Sequence, residues 1–331
     1  GDHRDLHVRS RRQRQMCIRD RGNKYLRLIE NPVEGRRIFS ELSISRYTHI
    51  NGFNISSNVG LKSINYDLSN TQVESKNVNV PNAFININTI FIKNIAGSKY
   101  LLEPSLTLGY SAYKNQENNP IFDSDIISPN NELFNNDRFS GMDRIGDQSF
   151  YTLSMEYRKM TMGHKKVSLS VSKKYYLKDR KVWMSGLINH EMSMANISSM
   201  DSMNGNEGPL IVMGSWMPTM KTIIMGYGGY LNESKKVPLG GITVNHKFNS
   251  GSLGFAKRYR RMAGDFNNQL DYVELFADIN LNSSFKIIAK LKRDNEINKN
   301  VESLLGIEYE NCCLALRITG TDRNLSRYIL N

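Results

Sequence analysis

The chain has 331 residues, of which 39% are hydrophobic, and its formal net charge is +12. Its mean hydropathy is −0.48, and it contains no apolar run of the roughly 18 residues that a spanning helix requires. These values exclude a membrane protein built of helices and allow one large domain.

The first 21 residues are rich in arginine and lack the apolar core of a signal peptide. A basic arm that binds nucleic acid or membrane and a disordered tail are two interpretations. We adopt a third, non-native sequence, because residues 2–7 and 11–20 resemble a translated transposase sequencing adapter. The segment holds seven arginines and three aspartates, so residues 22–331 carry +8 of the total charge. We exclude residues 1–21 from fold reasoning and expect the native N-terminus upstream, so that a missing signal peptide says nothing about location.

From residue 36 onward the hydrophobic pattern has period two, which is typical of strands with one apolar and one polar face. Leu102, Leu106 and Leu108, for example, alternate with Glu103, Ser105 and Thr107. The pattern predicts fourteen strands: 37–48, 53–68, 82–94, 99–113, 149–160, 166–178, 209–217, 221–231, 237–248, 251–260, 269–280, 284–293, 300–309 and 312–319. Pro104 is unexplained by the pattern, because proline cannot donate to a strand ladder.

Short connections alternate with connections that are mostly longer, including 69–81, 114–148 and 179–208. Segment 182–194 has strand-like composition, but a strand there would break this alternation, so we assign it to a loop. Short turns at one end and long loops at the other predict an antiparallel transmembrane β-barrel. A closed sheet pairs every backbone amide that lipid cannot satisfy. A soluble β-sandwich or solenoid, which also has period-two strands, is the alternative.

Three tracts carry a resemblance to a known family. LFNNDRFSGMDRIGDQSFYTLSMEYR at residues 133–158, LLEPSLTLGYSAY upstream and LLGIEYENCCLALRI at residues 304–318 occur in the order that the LptD family of lipopolysaccharide-assembly proteins shows. The likeness extends over roughly residues 36–328.

The resemblance implies a barrel of about 26 strands, of which residues 22–331 would form about fourteen as a partial C-terminal barrel domain. It implies location in the outer membrane of a Gram-negative bacterium, among outer-membrane lipids, and transport of lipopolysaccharide without catalysis. It also implies an LptE-type lipoprotein plug inside the barrel and a periplasmic LptA-type bridge, bound through an N-terminal domain absent from this chain. The lipid would leave through a seam between the first and last strands, which are also absent.

Two cysteines remain outside the adapter-like segment, and they are adjacent. Sequential Cα atoms lie about 3.8 Å apart, less than the roughly 4.4–6.8 Å of a disulfide, so Cys312 and Cys313 are poor partners for each other. The resemblance implies that they bond to cysteines of the missing periplasmic domain. It thereby assigns the short turns to the periplasm and the 114–148 connection to the outside. Two inert reduced thiols are the alternative.

The stretch DRFSGMDRIGD at residues 137–147 has the densest charge in its connection. Its glycines, Gly141 and Gly146, allow backbone conformations that other residues avoid. We expect Arg138 and Arg144 to pair with Asp137, Asp143 and Asp147, with Phe139 in the same motif, in a folded loop packed into or over the barrel mouth. Contact of the two arginines with lipopolysaccharide phosphates is the alternative.

No catalytic, metal or phosphate-loop motif is present, and the remaining histidines are scattered. We therefore predict no catalytic residue, no metal, no cofactor and no nucleic-acid partner. The lysines of 285–293 are expected on a wet inner face. A porin or receptor-type transporter and an outer-membrane hydrolase are the competing functions.

Overall fold

A computed structural model describes residues 7–8, 14–18, 34–69, 77–124, 127, 129–162, 164–182, 206–232, 236–260 and 270–323. The loop assignment of 182–194 falls outside these residues beyond its first position. So does most of the adapter-like segment 1–21, whose origin stays a prediction. No helix in the part of the chain so described is long and apolar enough to cross a membrane.

The described residues are almost entirely β-structure. The strands are β1 His7–Val8, β2 Arg14–Ile18, β3 Glu34–Ile50, β4 Phe53–Ser69, β5 Val78–Asn88, β6 Phe91–Ile95, β7 Ser98–Ser111, β8 Gln148–Thr161, β9 His164–Tyr176, β10 Glu207–Thr219, β11 Thr222–Leu231, β12 Lys236–Phe248, β13 Gly251–Arg260, β14 Leu270–Asn280, β15 Phe285–Asp294, β16 Lys299–Glu310 and β17 Ala315–Arg323. A single turn of helix, α1 Pro129–Glu132, lies between β7 and β8.

The chain divides into two compact units. The first comprises the described parts of residues 1–91, 103–155 and 172–209, and the second those of 92–102, 156–171 and 210–331. Strands β7, β8 and β9 each contribute residues to both units.

In the first unit, β3 and β4 form an antiparallel hairpin that pairs over 17 residues of each strand. Asn51 and Gly52 form its turn with φ of 51° and 83°, the left-handed pair that tight hairpins favour. β4 pairs with β5, β5 pairs with β7, and the short strands β1 and β2 both pair with β3. Seventeen residues span roughly 55 Å, so this hairpin is longer than a bilayer crossing needs.

In the second unit, β10 to β17 pair in chain order, each antiparallel to the next. The ladder from β12 to β14 is continuous, whereas β10–β11, β11–β12 and β15–β16 each contain one register shift. This is the meander that the period-two pattern predicts.

The fourteen predicted strands correspond to strands of the structure, with two corrections. The segment 82–94 is interrupted, forming β5 and the short β6. The last strand begins at Ala315 and not at 312, because Cys312 and Cys313 lie in the turn that precedes it.

The interruption between β5 and β6 accounts for Pro104. The carbonyl of Pro104 accepts a hydrogen bond from the Thr89 N–H at 3.3 Å, and Thr89 lies within the interruption. The N–H and C=O of a residue in an antiparallel strand point to the same neighbour. The donor that proline lacks would therefore face the interrupted position.

Each ladder has an apolar face and a polar face. In the first unit the exposed large apolar side chains include Leu42, Leu61, Leu108 and Leu153. In the second unit they include Leu253, Leu275, Leu305 and Ile318. Large apolar groups that alternate with polar ones but stay exposed are typical of a lipid-facing surface.

Candidate functional site

The connection from β7 to β8, residues 112–147, folds back onto the strands and is called the rim loop below. Ile145 is 1% exposed and packs with Ile64, Val78 and Val80 in a core formed by β4 and β5. The side chain of Gln116 bonds both backbone groups of Ile145, accepting from its N–H at 3.1 Å and donating to its carbonyl at 2.8 Å. These contacts hold the C-terminal half of the loop against the strand wall.

Phe139 forms a second apolar contact of the rim loop. It is 5% exposed and packs against Val182, which follows β9, with Ile121 beside them. The loop is thus attached both to β4 and β5 and to the segment after β9.

A partly buried ion pair joins the loop to β3. Both terminal nitrogens of Arg37 donate to the carboxylate of Asp123, at 2.9 and 2.7 Å, and Nη1 lies 3.4 Å from Oδ2 of Asp143. Arg37 is 2% exposed and Asp143 is fully buried. Such a bidentate pair fixes orientation as well as charge.

Asp143 also organises the loop backbone. Its Oδ2 accepts hydrogen bonds from the N–H groups of Phe122 and Asp123. Its carbonyl accepts from the Tyr66 hydroxyl at 3.2 Å. Burial alone would raise the pKa of Asp123, but the Arg37 guanidinium and the Met142 N–H, which donate to its carboxylate, lower it overall.

Arg144 is 1% exposed and binds backbone carbonyls of its own loop. Its guanidinium donates to the carbonyls of Asn119 at 2.6 Å, Asp143 at 3.1 Å and Pro120 at 3.4 Å. Burial lowers the pKa of Arg144, against the opposing effect of Tyr66 and Asp143. The side chain acts as an internal cross-link of the loop.

Arg138 makes a similar contact with the segment after β9. It is 6% exposed, donates to the Val182 carbonyl at 2.6 Å, and lies 5.1 Å from the ring centroid of Phe139. Burial lowers the pKa of Arg138, and the nearby Arg180 adds to this effect while Glu132 and Asp147 oppose it.

The carboxylates of the motif also bind residues outside the motif, which the sequence did not predict. Asp137 pairs with Lys62 of β4 at 2.8 Å and accepts from the Gly146 N–H at 2.9 Å. Asp147 accepts from the N–H groups of Lys181 and Val182 at 2.8–3.0 Å. The pairing of Arg138 and Arg144 with the aspartates of the motif stays a prediction, whereas these longer-range contacts are observed.

Glycine is required at the two positions of the motif for different physical reasons. Gly141 has φ of +75°, and a Cβ there would lie 2.4 Å from the Asp123 carbonyl oxygen. A Cβ at Gly146 would lie 3.2 Å from Cβ of Arg138, so this position is limited by close approach. Only Gly141 uses the conformational freedom that the sequence analysis inferred for both.

A second polar cluster, which the sequence analysis missed, holds α1 against β9. Lys174 is 2% exposed and donates to the Glu132 carbonyl at 2.8 Å and to Gln148 Oε1 at 3.0 Å. Its Nζ lies 3.7 Å from the Phe150 ring centroid, and the Tyr176 hydroxyl donates to Glu132. A lysine within an alternating strand was the only sequence signal.

On the polar face of the second unit two lysines of β15, Lys286 and Lys290, are paired with carboxylates. Lys286 lies 2.8 Å from Asp278 and 3.3 Å from Glu308. Lys290 lies 3.0 Å from Glu302 and 4.0 Å from Glu274. Acidic residues of the neighbouring strands therefore compensate two of the cations in the lysine-rich segment 285–293.

Cys312 and Cys313 lie exposed in the turn between β16 and β17, and both are free. Their sulfurs are 3.0 Å apart, longer than the roughly 2.05 Å of a disulfide. The Asn311 side chain shapes the turn by accepting from the N–H groups of Cys313 and Leu314 at 3.0 and 2.8 Å. Among the described residues, no group of three or more histidine, cysteine, aspartate or glutamate side chains could hold a metal.

Antiparallel strands with an exposed apolar face, a polar face and a folded rim loop define an outer-membrane β-barrel. The sequence model of the family described as "LptD: LPS transport system D" matches residues 5–285. The chain belongs to the LptD family, and its place is the outer membrane of a Gram-negative bacterium. The match begins inside the segment that resembles an adapter.

Two relatives show the extent of the likeness. The chain is 26% identical over 252 residues to the LPS-assembly protein LptD of Pseudomonas aeruginosa (strain LESB58), covering 68% of this chain and 27% of that protein. It is 27% identical over 253 residues to the LPS-assembly protein LptD of Acinetobacter baumannii (strain ATCC 19606), covering 75% of this chain and 29% of that protein. The chain thus spans less than a third of the length of these relatives.

Two solved structures are similar at 10% sequence identity. They are the outer membrane phospholipase A from Escherichia coli, with a TM-score of 0.32 over 75% of this chain and 79% of that one, and a mutant of the Rh. blastica porin, with a TM-score of 0.36 over 86% and 84%.

Proposed function

We propose that this chain forms part of the barrel through which the full-length protein assembles lipopolysaccharide into the outer leaflet. The observation that carries the proposal is the family match over residues 5–285, together with relatives named as LPS-assembly proteins. The exposed apolar face and the ion-paired polar face support a wall with lipid on one side and water on the other.

In this proposal the rim loop structures the outer mouth of the barrel, and its buried arginines are not the lipid-binding surface. The guanidinium groups of Arg138 and Arg144 are buried and bound to carbonyl oxygens, which supports a structural role over contact with phosphates. Replacing Arg144 with Ala is expected to impair assembly and raise antibiotic permeability. Wild-type values for both would remove the structural and the phosphate-binding roles alike.

The proposed partners are lipopolysaccharide, an LptE-type lipoprotein plug and an LptA-type periplasmic bridge. The bridge supplies the driving force through the periplasmic domain of the full-length protein, so this chain performs no catalysis. The lipid leaves sideways through a seam between the first and last barrel strands.

The test uses the full-length gene in a strain depleted of its own assembly protein. We expect restored lipopolysaccharide at the cell surface and co-purification with a small lipoprotein. Passive solute uptake without lipoprotein dependence would identify a porin or receptor-type transporter instead. Lipid hydrolysis by the purified protein would identify an enzyme.

For the cysteines we propose disulfides to partner cysteines in the periplasmic domain. Their exposure in a short turn supports this role. Non-reducing electrophoresis of the full-length protein is expected to show a compact oxidised form that persists in Cys312→Ser and in Cys313→Ser and disappears in the double variant. If the compact oxidised form persists in the double variant, Cys312 and Cys313 are two inert thiols.

A further inference from the structure

A cavity of about 570 Å³ opens at the rim, where β7 and β9 end and β8 begins. Its walls include Tyr110, Tyr113, Ser149, Leu177, Lys178 and Lys181. All of these residues belong to the first unit. None of these six side chains takes part in the Arg37, Arg138 or Arg144 contacts, although Asp147 and Gln148, described above, also line the cavity.

The cavity is continuous with the apolar face. Tyr110 and Leu108 lie two residues apart on β7, on the same face, and both are exposed. On β8 and β9 the same face carries Tyr151 and Tyr175, whose rings stack with centroids 4.9 Å apart. Tyrosines in this position are typical of the membrane interface, so the cavity lies at the level of lipid headgroups.

The polar groups of the cavity suit a phosphorylated sugar better than a bare anion. Lys178 and Lys181 are exposed, and Lys181 Nζ lies 5.6 Å from the Tyr113 ring centroid. Two carboxylates are also present. Asp147 is buried and accepts from backbone N–H groups, whereas Asp179 is exposed.

Taken together, the lining offers two cations for phosphate, tyrosine rings for the apolar face of a sugar, and amide, hydroxyl and carboxylate groups for sugar hydroxyls. The exposed leucines below offer a surface for acyl chains.

We infer that this cavity binds the phosphorylated sugar headgroup of an outer-leaflet glycolipid whose acyl chains lie along the apolar face of β7 and β8. The bound molecule is a resident lipid on the outside of the barrel. The inference goes beyond the proposed function, because it requires the barrel to be in the membrane but requires no transport step.

The test places a photo-crosslinker in the cavity. The full-length protein, with Tyr113 replaced by p-benzoylphenylalanine, is reconstituted in phosphatidylethanolamine nanodiscs with or without bacterial lipopolysaccharide and irradiated. We expect a glycolipid adduct whose yield falls roughly tenfold when Lys178→Gln and Lys181→Gln are combined, since each interfacial cation contributes to anionic-lipid binding.

The matched control combines Lys93→Gln and Lys99→Gln, which flank the turn at the opposite end of β7 and are also exposed. This control is expected to leave the yield unchanged. Three outcomes would overturn the inference: an equal adduct with phosphatidylethanolamine, loss of the adduct in excess inorganic phosphate, or an equal yield in the Lys178 and Lys181 variant. Surface lipopolysaccharide measured in the same variant separates this result from a failure of the assembly role.

Discussion

At the scale of single residues, the rim loop depends on side chains that come from distant strands. Arg37 lies 86 residues before Asp123, and Lys62 lies 75 residues before Asp137. Charge density at 137–147 predicted a compact loop, and a packed loop is observed. No pattern within the stretch could supply Arg37 or Lys62, because those contacts follow from strand register.

Replacing Arg37 with Ala should destabilise the full-length protein. The change removes the guanidinium that pairs with Asp123 and lies 3.4 Å from the fully buried carboxylate of Asp143. We expect a loss of about 3 kcal/mol in the free energy of unfolding, measured by urea titration in detergent. Arg36→Ala is the control, since Arg36 is exposed. Equal losses in both variants would contradict the role of the ion pair.

The lowered pKa of Asp123 predicts an acid dependence of stability. A carboxylate with a depressed pKa stabilises the folded state fully above its unfolded pKa, which is 3.8, and loses that contribution as pH falls through the folded value. We expect the urea concentration at the unfolding midpoint to decrease when the pH is lowered below about 3.8. Asp123→Asn is expected to weaken this pH dependence. An unchanged pH profile in Asp123→Asn would show that other groups control it.

A comparison of alanine substitutions at Gly141 and Gly52 distinguishes backbone strain from steric overlap. Both have positive φ, but a Cβ meets the Asp123 carbonyl at Gly141 and nothing within 4 Å at Gly52. Alanine at Gly52 should cost about 1 kcal/mol, and alanine at Gly141 should cost about 3 kcal/mol. Thermal unfolding of the two variants measures the difference. Equal costs would mean that the loop relaxes around the added methyl group.

At the scale of elements, strand prediction succeeded because period-two alternation and short turns are local signals. It failed at the last strand, where a side chain in the preceding turn delays the start of the strand. The Asn311 side chain bonds the N–H groups of Cys313 and Leu314 and delays the last strand to Ala315. The helix α1, Pro129–Glu132, was not predicted, although Ser128 followed by Pro129 is a local helix-start signal, and Lys174 from β9 holds it in place.

Lys174→Met tests how α1 is attached. The change removes the donor to the Glu132 carbonyl and to Gln148, and leaves the Glu132 carboxylate without this cation. We expect a loss of about 2 kcal/mol and faster proteolysis near 129–132. Lys173→Met is the matched control, because Lys173 forms a partly exposed pair with Glu207 whose contribution should stay below about 1 kcal/mol. Equal proteolysis of the two variants would contradict the attachment.

At the scale of the whole molecule, the fold class followed from the sequence because period-two strands were combined with short turns at one end and longer loops at the other, as in transmembrane barrels. The family resemblance rested on three tracts and agrees with the family match over residues 5–285. The rim loop contacts and the outer cavity could not be predicted, since both combine residues from several strands.

We conclude that one face of these strands meets lipid and the other meets water. Spin labels on a genetically encoded ketone side chain test it in the full-length protein in bilayers. The adjacent pairs are Glu41 with Leu42 on β3 and Glu274 with Leu275 on β14, and in each pair the leucine is exposed. We predict that labels at Leu42 and Leu275 are accessible to oxygen but not to a water-soluble nickel complex, and that labels at Glu41 and Glu274 show the reverse. Equal water access on both faces would contradict a wall that separates lipid from water.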